Sequence, residues 1–560
     1  MASLETKIAD NYIVDSTFMS GEGDSQKTPF LRKNLTFVTD SQNGGGNYSS
    51  GQITYDGTSL AAVGGNSVQD WANAYLVIPY NINVTCLAAE APGDLTFTSG
   101  AQYLAALKNN SLLDSITVEH MGKTIINRTP NISHITNFKV HATTSQDDLN
   151  KGAASRLYYP DSVGNSSSTK DKQGTKNNSN DSTQKANLDS KEFYNSGLLK
   201  RQQMLIGSIE TNFNTSARLK TEGDVFQAIS ALSSTITTGA LTFDLHFNCI
   251  IYLSDYSDYF AKHPISRGAG YKIYCTVNQA VTTVSTAAVA KPFAAVPLAA
   301  AISNTVLTSG SVQPAMLCVG PGTLCAGFTC SNNVVHTLKL TSQIDYNNAN
   351  ARPNGLRMYV PGYECAPETI ERITKQPIIK RQFMDIFSTV IQHQVPDGFV
   401  NQQIAGAISR PRAIVVIPQY SQTSQGQGSQ LSAFNPSPGT TDPQLSLTQI
   451  QIKVGSNYIL PDRLNYSFSA FLENTSQMFG IDAGLNRQVS AGVIDAQKFR
   501  NNYRYYAFDI SRYPDAVGST PQLISLECFN NSDVNVDLYV YVLYGRDCSV
   551  NILNGSIEVE

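Results

Sequence analysis

Two short segments of this sequence contain residue types that could support catalysis. Gly122-Lys123-Thr124 ends like a phosphate-binding loop, in which backbone N–H groups and a lysine hold phosphate oxygens. That loop requires a glycine five residues before Gly122, and the chain has Thr117 there. The surrounding residues alternate between apolar and polar, so the segment is predicted to be the turn of a β-hairpin.

The second segment, Gly57-Thr58-Ser59-Leu60-Ala61, resembles the tight turn that presents a nucleophilic serine in many hydrolases. It ends in alanine where that motif has glycine. No strong strand pattern precedes it, so nothing in the sequence places Ser59 on a strand-to-helix turn. We therefore do not predict a nucleophile here.

Cysteines and histidines are the next residues that could form a site. Cys318, Cys325 and Cys330 lie close in sequence, and His336 is the nearest fourth ligand. A tetrahedral zinc site usually begins with a pair of ligands two to four residues apart, and these spacings are wider. Three reduced thiols are expected, with no metal or cofactor. His246 falls on the polar side of an alternating segment and is expected to be an ordinary surface residue.

Cleavage of sugars would need two carboxylates facing each other across a groove. The acidic residues that stand out, Asp147, Asp148, Asp255 and Asp258, fall in predicted loops. The single tryptophan, Trp71, precedes an apolar strand and is expected in a core or an interface. The sequence therefore predicts no catalytic residue, no cofactor and no enzyme.

Charge argues against two classes of partner. The 560 residues sum to a formal charge of −4, and the first 33 residues form no basic arm, so direct nucleic-acid binding is not expected. The Ala-rich run 287–306 contains Lys291, Pro292 and Pro297 and is too weakly apolar for a membrane span. The nine cysteines are scattered, which is typical of a chain that folds with reduced thiols.

The elements that would position any site are mainly strands. Apolar and polar residues alternate with a period of two in the segments 241–251, 450–454 and 534–542, and 116–126 has the pattern of a hairpin. The likeliest helices are Tyr103–Leu107 and 224–232. Only 15% of the residues are charged, and long uncharged loops suit a β protein.

Two halves of the chain show the same succession of patterns. Leu76-Val77-Ile78-Pro79, the hairpin from Ile116 and the strand from Leu241 match Val415-Val416-Ile417-Pro418, the hairpin from Ile450 and the strand from Val534. The polar segment 145–190, predicted to be a long surface loop, accounts for most of the extra length of the first half. A β domain is therefore predicted to occur twice.

The predicted fold is all-β, with two tandem eight-stranded jelly-roll sandwiches, long loops and a few short helices. Residues 1–30 are expected to form an N-terminal arm and residues 31–281 the first roll. Residues 282–322, rich in Ala, Ser, Val and Pro, are expected to be a connector, followed by the second roll over 323–560.

Several segments together resemble the double jelly-roll major capsid proteins of polinton-like viruses and virophages, which are small double-stranded DNA viruses. They are Asn47 to Asp56, the strand that ends at Pro79, Leu241 to Phe260, Asn435-Pro436 with Asp442-Pro443 and Leu447 to Val454, and Tyr544-Gly545-Arg546 with Asn551 to Val559. The segment 145–190 and the connector depart from this pattern.

The resemblance implies a structural role. Each roll would stand upright in a virion shell, and a homotrimer would present six similar rolls as a pseudo-hexameric tile of an icosahedral capsid. It also implies contacts with neighbouring capsomers, penton proteins and minor capsid proteins, and assembly inside the infected host cell. A viral fibre, a spike or a carbohydrate-binding β-sandwich is the alternative, and it would require an aromatic-lined sugar site.

Overall fold

The computed structural model describes antiparallel sheets joined by a few helices. The residues that it describes are 30–41, 51–61, 67–88, 95–97, 103–107, 110–149, 158, 208–211, 234–236, 240–286, 302–319, 329–330, 336–344, 356–421, 445–460, 463, 465–479, 492–501, 503–511, 520–532 and 535–559. The predicted arm and most of the segment 145–190 lie outside these residues.

In the first half, two sheets form a sandwich, and four strands of each define the roll. One contains, in spatial order, β1 (Phe30–Thr39), β18 (Arg357–Cys365), β4 (Tyr75–Ala88) and β11 (Ala240–Tyr252). The other contains β2 (Gln52–Asp56), β12 (Tyr271–Val277), β7 (Leu113–His120) and β8 (Lys123–Ile126). With the eight strands lettered B to I along the chain, these sheets are BIDG and CHEF, the connectivity of a jelly roll.

The second half repeats this strand order. Its BIDG sheet contains β19 (Ile378–Gln394), β26 (Val536–Asn551), β21 (Pro411–Tyr420) and β24 (Tyr506–Asp509). Its CHEF sheet contains β20 (Phe399–Ile408), β25 (Gln522–Asn530), β22 (Leu447–Val454) and β23 (Asn457–Tyr458). The predicted pair of eight-stranded jelly rolls is therefore confirmed.

Shorter strands extend these sheets. β3 (Ser67–Gln69) pairs with β18, β9 (Ser208–Thr211) with β11, and β27 (Ile557–Val559) with β26. Two small sheets stand apart, one of β10 (Ser234–Ile236), β5 (Leu95–Phe97) and β16 (Thr329–Cys330), the other of β15 (Ala315–Val319) and β6 (Tyr103–Leu107). The helix predicted at Tyr103–Leu107 is therefore wrong, and the one predicted at 224–232 lies outside the described residues.

Residues 282–322, which were expected to form a connector between the rolls, contain strands that pair with the first roll. β13 (Gln279–Thr286) pairs with β14 (Ile302–Ser309) and with β17 (His336–Ile344), and β17 pairs with β4 of the first roll. Residues up to Cys365 therefore belong to the first roll, and the rolls are linked by 366–377. The expectation was wrong because Val, Thr and Ser suit an extended strand as well as a loop.

Seven α-helices have bounds within the described residues, residues 146–149 form a further helical turn, and a 3₁₀ turn at Trp71–Asn73 precedes β4. The longest lie in the loops between strands F and G of each roll. The helices are α1 (Thr58–Ala61), α2 (Ile132–Thr143), α3 (Leu253–Tyr256), α4 (Asp258–Ala261), α5 (Pro367–Lys375), α6 (Phe468–Phe479) and α7 (Ala496–Asn501).

The repeat predicted from sequence is confirmed in two of its three matches. The two Pro-ended segments are both strand D, in β4 and β21, and the segments at Ile116 and Ile450 are both strand E. The third match is wrong, because the segment from Leu241 is strand G of the first roll whereas 534–542 leads into strand I of the second. A period of two identifies a strand but not its place in a sheet.

Alternate residues of β26 point into two different cores. Leu538, Val540 and Val542 pack within the second roll. Tyr539, Tyr541 and Leu543 face the opposite way, into the core that includes the first roll. The second BIDG sheet is therefore buried on both faces, between its own CHEF sheet and the first roll.

Candidate assembly site

The outer face of the second BIDG sheet meets the first roll in a surface that we call the junction. Arg546 Nη1 donates to Asp385 Oδ2 at 2.9 Å and to the carbonyl oxygen of Ile125 in the first roll at 2.8 Å. The Tyr544 hydroxyl donates to the same carboxylate oxygen at 3.1 Å. Burial and the charge of Asp385 raise the pKa of Tyr544, which keeps it a neutral donor. One arginine thus holds both rolls in register.

Backbone groups of β19 and β26 are also satisfied across the junction. The Asp258 carboxylate accepts from Met384 N at 2.9 Å, and Thr129 Oγ1 donates to the Ile386 carbonyl at 3.2 Å. The Tyr541 hydroxyl donates to the Asn131 carbonyl at 2.8 Å. A strand edge inside a protein requires such partners, since unsatisfied buried groups are costly.

Helix α2 fills the space between the rolls and is buried on nearly all sides. Its Phe138 ring packs 5.0 Å from Tyr505 and 6.4 Å from Phe471, both in the second roll. His134 lies 4.9 Å from the ring of Tyr539. Apolar and polar side chains alternate around the whole circumference of α2, without one apolar face. The helix is stable here because both rolls supply packing and hydrogen-bonding partners.

A buried hydrogen-bonded chain lies beside the junction. The ring of Tyr259 packs 5.2 Å from Phe383 of β19, and the Tyr259 and Tyr271 hydroxyls are 2.7 Å apart. The Tyr271 hydroxyl contacts His263 Nε2, and His263 Nδ1 lies 2.6 Å from the Pro264 carbonyl. Because a carbonyl only accepts, Nδ1 carries the proton and Nε2 accepts from Tyr271. Burial lowers the pKa of His263 to about 4, so the ring is neutral at pH 7.

The outer faces of the two CHEF sheets have a different character. On the first, Lys272 pairs with Asp56 at 3.7 Å and the Tyr274 hydroxyl donates to Glu119 at 3.1 Å. On the second, Glu527 receives Arg463 at 3.5 Å. The first face is suited to contact with water, and the second combines this ion pair with the exposed Phe399 and Leu523.

The outer face of the first BIDG sheet carries aromatic side chains across all four strands. Phe37, Tyr359, Tyr75 and Tyr252 follow one another in register, with successive ring centroids 6.0, 5.2 and 5.7 Å apart. Arg357 lies over Phe37 at 4.2 Å. We call this set the aromatic row. Cross-strand aromatic neighbours stabilise a sheet, and here they also form an apolar surface.

The segments that resembled catalytic motifs take up structural positions. Gly122 and Met121, both with positive φ, make the turn of the β7–β8 hairpin, as predicted. Ser59 is exposed in the single-turn helix α1. The expectation that no strand precedes it was wrong, because β2 ends at Asp56, whose carboxylate accepts from Thr58. Glycine and asparagine before β2 had hidden the alternation of Ile53 and Tyr55.

The cysteines and histidines proposed as ligands are dispersed. Cys318 lies on β15 and Cys330 on β16, in different sheets, and His336 is on β17, while Cys325 lies outside the described residues. His246 is on β11. The described ranges contain no group of three or more His, Cys, Asp or Glu side chains that could hold a metal ion.

The remaining candidates are also accounted for. Trp71 is fully buried, with its ring 4.6 Å from Tyr271, which confirms the prediction of a core residue. Asp148 is bonded to Ser145, and Asp258 to Met384 N and Lys262. Cys249 and Cys275 are buried free thiols, as expected for apolar positions in strands. No described helix has the length and apolar character that crossing a bilayer requires.

Sequence reasoning missed the junction residues Asp385 and Arg546. Both lie in strands where apolar and polar residues alternate, and a charged residue in such a strand is predicted to face solvent. No local signal distinguishes them from surface charges, because they pair with each other across 161 residues of chain and the Ile125 carbonyl comes from the first half.

Comparison with known proteins gives structural likenesses only. No family model matches the sequence, and neither does any curated protein. A cryo-EM structure of the Sputnik virophage matches with 10% identity and a TM-score of 0.49, covering 95% of this chain and 89% of that one. The major capsid protein of mavirus is also similar, with 11% identity, a TM-score of 0.45, and coverage of 97% of this chain and 94% of that one. The Faustovirus major capsid protein has 9% identity and a TM-score of 0.45, with 97% of each chain covered. The strand order of the two sandwiches identifies the fold independently of these likenesses.

Proposed function

We propose that this chain is a major capsid protein that forms homotrimers, and that the trimers tile an icosahedral virion shell. The observation that carries the proposal is the double strand order, in which one chain builds two jelly rolls of identical connectivity. Three such chains supply six similar units, which suits a tile with hexagonal packing. Closed symmetry would then repeat one set of contacts around the trimer.

The junction supports this role because a tile needs its two rolls in a constant relative orientation. Arg546 and Asp385 form a largely buried ion pair that also bonds to the first roll, and α2 packs against both rolls. Domains joined only by a linker would rock against each other. The buried and hydrogen-bonded contacts of the junction would hold the two rolls in one orientation.

We further propose that the protein resides in the virion after assembly in the host cell, without catalytic activity or cofactor. Its partners would be its own copies, neighbouring capsomers, penton proteins and minor capsid proteins. The net charge of −4 argues that it does not bind the genome directly.

Mass photometry of the purified full-length chain tests the proposal. A trimer has a mass of about 182 kDa, three times the chain mass of 60.7 kDa. We expect this species at micromolar concentration, and tile-shaped particles with six lobes in negative-stain images. A protein that stays at the mass of one chain at every concentration, and forms no larger particles with its viral partners, would contradict the proposal.

A further inference from the structure

The two rolls share one topology but differ in what covers their BIDG sheets. The outer face of the second BIDG sheet is covered by the first roll, through Tyr539, Tyr541 and Leu543. The matching face of the first BIDG sheet bears the aromatic row. Its largest apolar side chains are well exposed, with Leu35 at 50% and Phe37 at 48%.

The composition of this face is that of an interface. Leu31, Leu35 and Phe37 point outward from β1, and Val77 and Ile250 flank the aromatic row on β4 and β11. Large apolar side chains are otherwise costly to leave in water. The outer face of the first CHEF sheet, by contrast, carries an ion pair and a hydroxyl group bonded to a carboxylate. On the second, the exposed Phe399 and Leu523 lie on separate strands, and Arg463, which pairs with Glu527, lies over the Phe399 ring.

The size of the outer face of the first BIDG sheet is also that of an interaction site. All four strands lie side by side where β18 pairs with β4 over Arg357–Tyr359, which is where the aromatic row crosses the sheet. Apolar patches larger than a few hundred Å² mark interaction sites on soluble proteins. With strands about 4.8 Å apart and about 3.3 Å per residue, the aromatic row and its apolar neighbours cover an area of that order.

We infer that the outer face of the first BIDG sheet binds the second roll of another copy of this chain. The inference rests on the proposed function and names the surface through which the trimer closes. Within one chain, the BIDG face of roll two sits on roll one. Repeating that contact between chains seats the BIDG face of roll one on roll two of a neighbour, and the ring closes after three chains.

A matched pair of double variants tests the surface. Leu35→Ser with Phe37→Ser removes one leucine and one phenylalanine from the aromatic face. Leu523→Ser with Phe399→Ser does the same on the second CHEF sheet, where the two side chains are 46% and 49% exposed. Phe399 even has an arginine, Arg463, over its ring, as Phe37 has Arg357. The two doubles therefore remove the same residue types at similar exposure from different sheets, the first from one strand and the second from two.

In mass photometry of the full chain, the first double should need at least a tenfold higher concentration to form trimers, because apolar anchors dominate interfaces. The second double should assemble like the wild type. Both should melt within a few degrees of the wild type, which separates lost assembly from lost folding. If the first double assembles normally, or if both doubles fail alike, the inference is overturned. If the wild type never assembles, the proposed function itself fails.

Photo-cross-linking identifies the occupant. With p-benzoylphenylalanine at position 35, we expect cross-links between chains, to peptides from residues 378–559. Cross-links to residues 1–29 of the same chain would mean that the chain covers its own face, and would overturn the inference. So would cross-links between chains that fall only within the first roll.

Discussion

The two BIDG sheets of this protein have the same strand order and opposite surroundings. In the second, β26 is buried on both faces, and its outward Tyr541 donates a hydrogen bond to the first roll. In the first, the outward Leu35 and Phe37 of β1 are exposed, and the aromatic row lies at the surface. The same topology can therefore serve as an internal wall or as an outer one, and the side chains on one face decide which.

The largest expected effect comes from the tyrosines on strand I. Tyr541→Ala should lower the free energy of unfolding by about 4 kcal/mol, because it opens a cavity at the junction and removes one of the two hydrogen bonds to the Asn131 carbonyl. Tyr359→Ala, on strand I of the first roll, should cost the monomer about 1 kcal/mol or less. Urea denaturation of both variants measures the difference, and equal losses would contradict the comparison.

A smaller loss is expected from the junction ion pair. Arg546→Ala leaves the Asp385 carboxylate buried without its cation, which should cost about 3 kcal/mol. The more exposed pair of Arg410 with Asp547 provides the control, and Arg410→Ala should cost less than about 1 kcal/mol.

The double variant Arg546→Met with Asp385→Asn should recover part of the loss, since the buried charge is then gone. Chemical denaturation of Arg546→Met, Asp385→Asn and the double variant gives the coupling between the two residues. A coupling near zero would show that the two side chains do not stabilise each other at the junction.

Acid should weaken the junction side of the first roll. The pKa of His263 is lowered to about 4 in the folded protein, against about 6.5 in the unfolded chain. As pH falls, the unfolded chain therefore binds a proton at His263 before the folded protein does, which favours unfolding. The stability from its neutral form is complete above pH 6.5 and is lost as pH falls toward 4, by about 3 kcal/mol in total. Protonation would also force Nε2 to donate, which reverses the chain through Tyr271 and Tyr259.

Melting curves between pH 4 and 7 check this dependence. The variant His263→Gln should lack that part of the pH dependence, although its stability at pH 7 is lower. The only histidine of the second roll, His393, lies near the surface and serves as the control in His393→Gln. Parallel pH profiles for His263→Gln and the wild type would exclude His263 as the titrating group.

Local pattern was enough to predict much of the fold. The alternation of apolar and polar residues predicted β11, β22 and the β7–β8 hairpin, and the paired Val-Ile-Pro segments predicted that strand D occurs twice. These predictions succeed because successive side chains of a strand point to opposite faces, so every second residue shows whether a face is buried. The same logic predicted that Gly122-Lys123-Thr124 is a turn.

The alternation of residues could not predict which strands pair when they lie far apart in the sequence. The segment 336–365 was assigned to the second roll, but its strands pair with β4 and β1, hundreds of residues earlier in the chain. The alternation of 534–542 gave no sign that its outward residues, including Tyr539 and Tyr541, would be buried as deeply as its inward ones. A side chain that faces away from its own core looks the same in sequence whether water or another domain covers it.

The amino-acid sequence by itself determined that the chain is a β protein with a repeated sandwich, because local alternation, turn residues and sparse charge are properties of neighbouring residues. Only the tertiary structure decided where the first roll ends, that Arg546 and Asp385 hold the rolls together, and which outer face remains apolar and exposed. Those features depend on contacts between residues far apart in the chain, and burial is a property of the assembled molecule rather than of any segment.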